Sequence, residues 1–181
     1  MIVWSQDGGA ANCKKFLFVQ VEIDEYQNYE KALGALTEAY HCLNKANDTE
    51  KLESLKHNME SVKEFVDIQQ LYETSPGRAV DLCKDYLTNG DFVLVRQGDV
   101  YGFMVEHYAK NNQYKPAYHL IEDMKENIPK VNVAYYINMQ TIKAVQKALG
   151  VQIVGSQAGV EDNNGEEEDD EEIADETGHY G

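Results

Sequence analysis

Between Gly98 and Pro129 the chain reads GDVYGFMVEHYAKNNQYKPAYHLIEDMKENIP, with helical apolar spacing on both sides of Asn111-Asn112. Val100, Phe103, Met104, His107 and Tyr108 recur at steps of three and four, which places them on one helix face. Gly98-Asp99 opens that helix and Asn111-Asn112 breaks it. A second helix comes next with Tyr114, Ala117, Tyr118, Ile121 and Met124, and Pro129 closes it because proline cannot continue the backbone ladder. So short a break between two amphipathic helices predicts a tight hairpin. Ala117 lets the two backbones approach, and Tyr108 fills the groove beside it.

Upstream, Leu33, Leu36, Tyr40 and Leu43 form another stripe. Leu52, Leu55, Met59, Val62 and Val66 alternate steps of three and four, with Asp48 or Thr49 as the N-cap, so a long helix is expected to about Thr74. This seam spans only about two heptads, which favours packing against neighbouring helices over a coiled coil. Ser75-Pro76 restarts a helix that ends at Asn89-Gly90. Downstream, Val131–Ile137 is rich in Val and Tyr and predicts an extended segment. Asn138 caps a last helix with Ile142, Val145 and Leu149, stopped by Gly150. No strand alternation is strong enough to build a sheet, so the body is expected to be all-α.

The 98–129 hairpin fits a tetratricopeptide repeat, a unit of about 34 residues with Tyr closing its first helix and Ala, a large apolar residue and Pro marking its second. Tyr101, Met104, Val105 and Tyr108 supply the first helix; Ala117, Ile121, Met124 and Pro129 supply the second. Val105 and Met124 depart from the small residues usual there. Ala32, Leu36 and Ala39 repeat the second-helix spacing, as do Ala79, Cys83 and Tyr86. The offsets between Ala32, Ala79 and Ala117 are 47 and 38 residues, so the array is irregular. The fold expected is a tetratricopeptide-like α-solenoid of helical hairpins.

Charge separates this body from the C-terminal stretch. The chain has 181 residues and a formal charge of -16, yet residues 161–176 hold 11 acidic residues and no basic one, which leaves -5 on residues 1–160. Residues 151–181 are expected to form a disordered acidic tail, since so few apolar groups cannot offset chain entropy. Neither part offers the clustered Lys and Arg that nucleic acid demands. Phe16–Val19 is interrupted by Gln20 and Glu22, far short of a membrane span or a signal-peptide core, so no direct membrane insertion is expected. Asn47-Asp48-Thr49 spells a glycosylation acceptor that carries no weight without a secretory signal.

The residues that carry chemistry do not assemble into a catalytic or metal motif. Cys13, Cys42 and Cys83 are odd in number and far apart, with no CxxC pair. Cys42 and Cys83 fall within helical apolar patterns, where a small buried thiol is the ordinary explanation. His41, His57, His107, His119 and His179 form neither HExxH nor a Cys/His cluster. Adjacent Glu106 and His107 project about 100° apart on a helix, unsuited to joint ligation. There is no GxSxG, no phosphate loop, and in the run Glu166–Glu172 no calcium-loop spacing. We therefore expect no catalytic, cofactor-binding or metal residues, no cofactor, and no enzyme activity.

Longer words in the chain are more specific. Val21-Glu22-Ile23-Asp24-Glu25-Tyr26-Gln27-Asn28-Tyr29-Glu30-Lys31-Ala32, continued by Ala35-Leu36-Thr37-Glu38-Ala39-Tyr40, resembles the C-terminal region of the intraflagellar transport protein 140 family. So does Gly98-Asp99-Val100-Tyr101-Gly102-Phe103 followed by Val105-Glu106-His107-Tyr108. Tyr135-Tyr136 and a closing acidic tail fit in kind. The resemblance covers residues 20–150, leaving 1–19, including Trp4, Gly8 and Gly9, unmatched and 151–181 as tail. It implies a subunit of intraflagellar transport complex A, working in retrograde ciliary transport and ciliary cargo import. It also implies location at the cilium and ciliary base on the reducing, cytoplasmic side.

Family members resemble long chains with N-terminal β-propellers ahead of the solenoid. A C-terminal fragment, or a truncated product with an unrelated start, is therefore expected, and residues 28–46 are expected to lack a helix partner. Two functions are consistent with this. One is a non-catalytic scaffold whose partners are other complex A subunits; the other is a generic tetratricopeptide adaptor that binds a short peptide in its concave groove. A peptide clamp needs convergent Lys, Arg or Asn on the first helices. The best-formed first helix has only Lys110 and Asn111 near its end, which favours the scaffold.

Overall fold

A computed structural model describes residues 18–45 and 49–153. Residues 18–24 are helical (α1). They are followed by α2 (Tyr29–Lys45), α3 (Thr49–Leu71), α4 (Pro76–Asn89), α5 (Gln97–Lys110), α6 (Tyr114–Asn127), α7 (Val133–Tyr136) and α8 (Met139–Leu149). No strand occurs among the described residues, and none of the helices there is long and apolar enough to cross a membrane. The protein is an all-α solenoid of helical hairpins. Asp48, Cys13, His179, Trp4 and the segment 154–181 read as a tail lie outside the described residues.

Local chemistry explains most of the boundaries. Pro76 occupies the first position of α4, although Ser75 makes no side-chain capping bond. Asn138 caps α8 by accepting from the Gln140 N–H, and Gly150 ends it with φ 66°, in the left-handed region that glycine enters without a Cβ penalty. Glu106 of α5 reinforces the start of α8: its carboxylate accepts from Asn138 N at 3.0 Å and from Thr141 Oγ1 at 2.7 Å. Negative charge at a helix N-terminus is favoured by the exposed N–H groups there.

Two expectations about the helices are corrected. Residues 133–136 form the one-turn helix α7 and not an extended segment. Asn132 accepts from the Ala134 N–H and starts the turn, and burial of Val133 and Ile137 on one side holds it. Local capping thus outweighs the β-propensity of Val and Tyr. Nor does the described part of the segment expected to lack a partner, residues 28–45, stand alone, because α2 packs against α3. Val19 and Ile23 of α1 are buried in the same core.

The core consists of two clusters that share α5. Val100 and Met104 face the first, with Leu36, Leu55, Val62, Phe65, Ala79 and Cys83. Tyr101 and Val105 face the second, with Ala117, Ile121, Val133, Ile142 and Val145. Ile153 is buried here too, so packing continues past Gly150. Leu87, Tyr108 and Leu120 touch both clusters and join them. Phe65 is the aromatic centre of the first, edge-on to Tyr29 at 4.9 Å between ring centroids and near Tyr86 and Phe103.

The cysteines part company within this packing. Cys83 is fully buried, and burial pushes its thiol pKa up to about 12. Cys42 is exposed, against expectation, because its neighbour Leu43 occupies the buried stripe of α2. Reactivity follows the thiolate. In the native chain, iodoacetamide at pH 8 is expected to label Cys42 and spare Cys83 until denaturant is added. Peptide mass spectrometry measures this, and equal labelling of both in the native state would contradict the packing of α4.

Candidate interaction surface

The sharpest polar feature is built where α1, α5 and α7 meet. Arg96 sits at the N-cap of α5 and Asp99 three residues on. Arg96 Nε donates to Asp99 Oδ2 at 2.8 Å and Nη2 to Asp99 Oδ1 at 3.0 Å. This is the two-pronged pairing that a planar guanidinium makes with a carboxylate. The pair is well shielded, with side-chain exposures of 16% and 5%.

The surrounding polar groups are directed onto this pair. The Tyr29 hydroxyl donates to Asp99 Oδ2 and accepts from the Arg96 main-chain N–H at 3.0 Å. Burial first, then the Asp99 charge, pushes the Tyr29 phenol far above the usual tyrosine range, so it stays a neutral donor. Arg96 Nη1 donates to the Asp24 carbonyl at 3.1 Å and to the Tyr135 hydroxyl at 2.9 Å. That hydroxyl in turn donates to the Asp24 carbonyl. The guanidinium carbon also lies 5.0 Å from the Tyr135 ring centre and 5.3 Å from that of Tyr136, a double cation–π arrangement. One arginine thus ties together chain positions 24, 29, 99, 135 and 136.

Two glycines make room for this. A Cβ at Gly98 would stand 2.6 Å from the Tyr136 ring, and one at Gly102 2.5 Å from the Tyr136 carbonyl oxygen. One turn apart on α5, they form the shallow bed on which α7 lies. The result at the surface is a rigid rim at Tyr135, which is 48% exposed; Tyr26, at 69%, and Phe18 and Val21 on α1 are exposed as well. Tyr135 is held by hydrogen bonds and by Arg96, so a partner that covers it immobilises little further.

Over residues 17–125 the chain matches the sequence pattern of the C-terminal TPR domain of intraflagellar transport protein 140. It belongs to that family. The match contains Asp24, Tyr29, Arg96, Asp99 and both bed glycines, so most of the hub lies within the family region. Tyr135 and Tyr136 lie beyond it.

The residues singled out from the repeat pattern are packing residues. Tyr101, Met104, Ala117, Ile121, Ala32 and Leu36 are buried, Ala39 and Tyr108 are partly buried, and Pro129 is exposed after α6. Tyr101 receives a hydrogen bond from Asn127 Nδ2 at 3.1 Å. They are spread along the helices and do not converge on one site. Sequence reading missed Arg96, whose signal was a basic residue three before the aspartate that opens α5.

The described histidines are dispersed. His57 Nε2 lies 2.6 Å from Asp91 Oδ2, and Ser61 is one turn further along α3. Ser61 Oγ, however, donates to the Asp91 main-chain carbonyl at 2.9 Å, so no base addresses the hydroxyl. His107 is hydrogen-bonded through Nδ1 to the Tyr72 hydroxyl at 3.0 Å. Burial, and then Lys84 and Lys110, hold it below the usual histidine range. Among the described residues no three His, Cys, Asp or Glu side chains converge as a metal site requires.

The hub and the bed are separately testable by urea unfolding followed by circular dichroism. Asp99→Ala strands a shielded guanidinium and the Tyr29 hydroxyl, and should cost about 3 kcal/mol. Lys63→Ala, in an exposed ion pair with Asp67, should cost less than about 1 kcal/mol. Gly98→Ala should destabilise by about 1–3 kcal/mol through the clash with Tyr136. Gly34→Ala, where a Cβ meets nothing within 4 Å, should stabilise by about 0.5–1 kcal/mol. Gains at both glycines would show that α7 does not rest on Gly98.

Proposed function

We propose that this chain is a non-catalytic protein–protein interaction scaffold within intraflagellar transport complex A, serving retrograde ciliary transport and ciliary cargo import. The observation that supports it is the family match over residues 17–125, which coincides with a solenoid of paired helices. Such helical repeats act typically by presenting surfaces and not by chemistry. The Tyr135 rim, braced from beneath by Arg96, is the kind of rigid aromatic anchor on which stable interfaces depend. Its partners are other complex A subunits, its place is the cilium and ciliary base on the cytoplasmic side, and it engages neither nucleic acid nor the bilayer interior. On this reading the described body, from α1 through Ile153, does the docking, and the acidic stretch beyond it is accessory. The repeat residues Tyr101, Met104, Tyr108, Ala117, Ile121, Pro129, Ala32, Leu36 and Ala39 serve to stack the helices.

Anchors on rigid elements set the lifetime of a complex, whereas exposed charge is screened within about 8–10 Å at physiological salt. Tagged chain purified from ciliated cells is therefore expected to bring down complex A subunits. Truncation after Gly155 should leave that association nearly intact at physiological salt, and Tyr135→Ala should weaken it about tenfold or more, as loss of an interface anchor does. If truncation abolishes association while Tyr135→Ala and Tyr108→Ala leave it untouched, the tail is the binding motif and the helices its carrier.

A further inference from the structure

The second surface feature lies away from the hub, where α3 and α4 diverge to leave a trough of about 640 Å³. Its α3 wall consists of Glu60, Lys63, Glu64, Asp67, Ile68 and Leu71. Those positions step by three and four along the second half of the helix, so one continuous stripe faces the trough. The α4 wall supplies Leu82, Asp85, Tyr86 and Asn89 at the same spacing. Ile68, Leu71, Leu82 and Tyr86 form an apolar floor, while the rims are acidic on both banks. Lys63 is already paired with Asp67 and Lys56 with Glu60. Glu64 and Asp85 have no ion-pair partner among the described residues.

Two helix stripes with a greasy floor form the seat into which a third helix packs, and the 60–71 wall is about 17 Å long, roughly three turns. Charge selects the occupant here. A second copy of this chain, at a formal charge of -16, and its own run of acids from Glu161 to Glu176 carry the wrong sign. We infer that the α3–α4 trough is a docking groove for a basic amphipathic helix of a partner, with apolar residues on Ile68, Leu71 and Leu82 and Lys or Arg over Glu64 and Asp85. This is the opposite chemistry from a clamp built of Lys and Asn for an acidic peptide. It concerns what the surface takes and not which complex hosts the chain, so it stands or falls independently of association with complex A.

The test is fluorescence anisotropy on the full chain with a labelled synthetic helix of about four turns, Leu on one face and Lys on the other, and a counterpart with Glu replacing Lys. The Lys peptide is expected to bind with a dissociation constant in the micromolar range at physiological salt, and the Glu peptide not to bind. Glu64 and Asp85 are exposed, so the double reversal Glu64→Lys/Asp85→Lys should keep its helical circular dichroism and weaken binding about tenfold or more. Charge reversal in the tail, Glu167→Lys/Asp169→Lys, should change it less than about twofold. Hydrogen exchange should show the peptide protecting residues 60–71 and 82–90. The inference is overturned if tail reversal weakens binding as much as groove reversal, if both peptides bind alike, or if protection falls outside those segments.

Discussion

A single guanidinium organises this structure. Arg96 is shielded by α1, α5 and α7 and meets too little water to be satisfied by it. It therefore dictates where its partners stand: Asp99 directly, Asp24 through a main-chain carbonyl, and Tyr135 and Tyr136 through a hydroxyl and two ring faces. A buried charge is tolerated only when nearly all its donors are used. That requirement, together with burial of Val19 and Ile23, fixes how α1 meets α7.

The apolar core accepts this geometry because α5 is buried on two adjoining sides. Its Val100–Met104 side serves one cluster and its Tyr101–Val105 side the other. A helix so enclosed has little surface left for approach, and its thin places are Gly98 and Gly102. There α7 comes close enough for Tyr136 to reach beneath Arg96. Bulk, absence of bulk and charge are thus interleaved along the first turns of one helix.

Much of this was legible in the chain's spacing. The helices from Leu33 to Leu149, the Ser75-Pro76 restart, the Asn138 cap and the Gly150 stop rest on local rules, and local rules survive folding. What was not legible depended on contact between distant positions. Val131–Ile137 carried a strand-like composition, and only the Asn132 cap and the neighbouring core turned it into helix. Arg96 went unremarked, since nothing near it in the chain reveals that Asp24 and Tyr135 will close over it. Cys42 shared the helical pattern of a buried residue but lies one position off its stripe. The words Val21–Ala32 and Gly98–Phe103 were visible as words; that they meet through Tyr29 and Asp99 could be learned only from the fold.

In a regular helical array each unit touches only its neighbours, so the units can fray one after another from either end. The bond from the Tyr135 hydroxyl to the Asp24 carbonyl spans 111 positions, and Arg96 fastens it midway. Fraying of α1 therefore removes the Asp24 carbonyl that both Arg96 and the Tyr135 hydroxyl use, although α7 keeps its bed on α5. Asp24, Arg96 and Tyr135 thus form a clasp between helices far apart in the chain, a long-range contact of the kind whose loop-closure entropy grows with the length of chain enclosed.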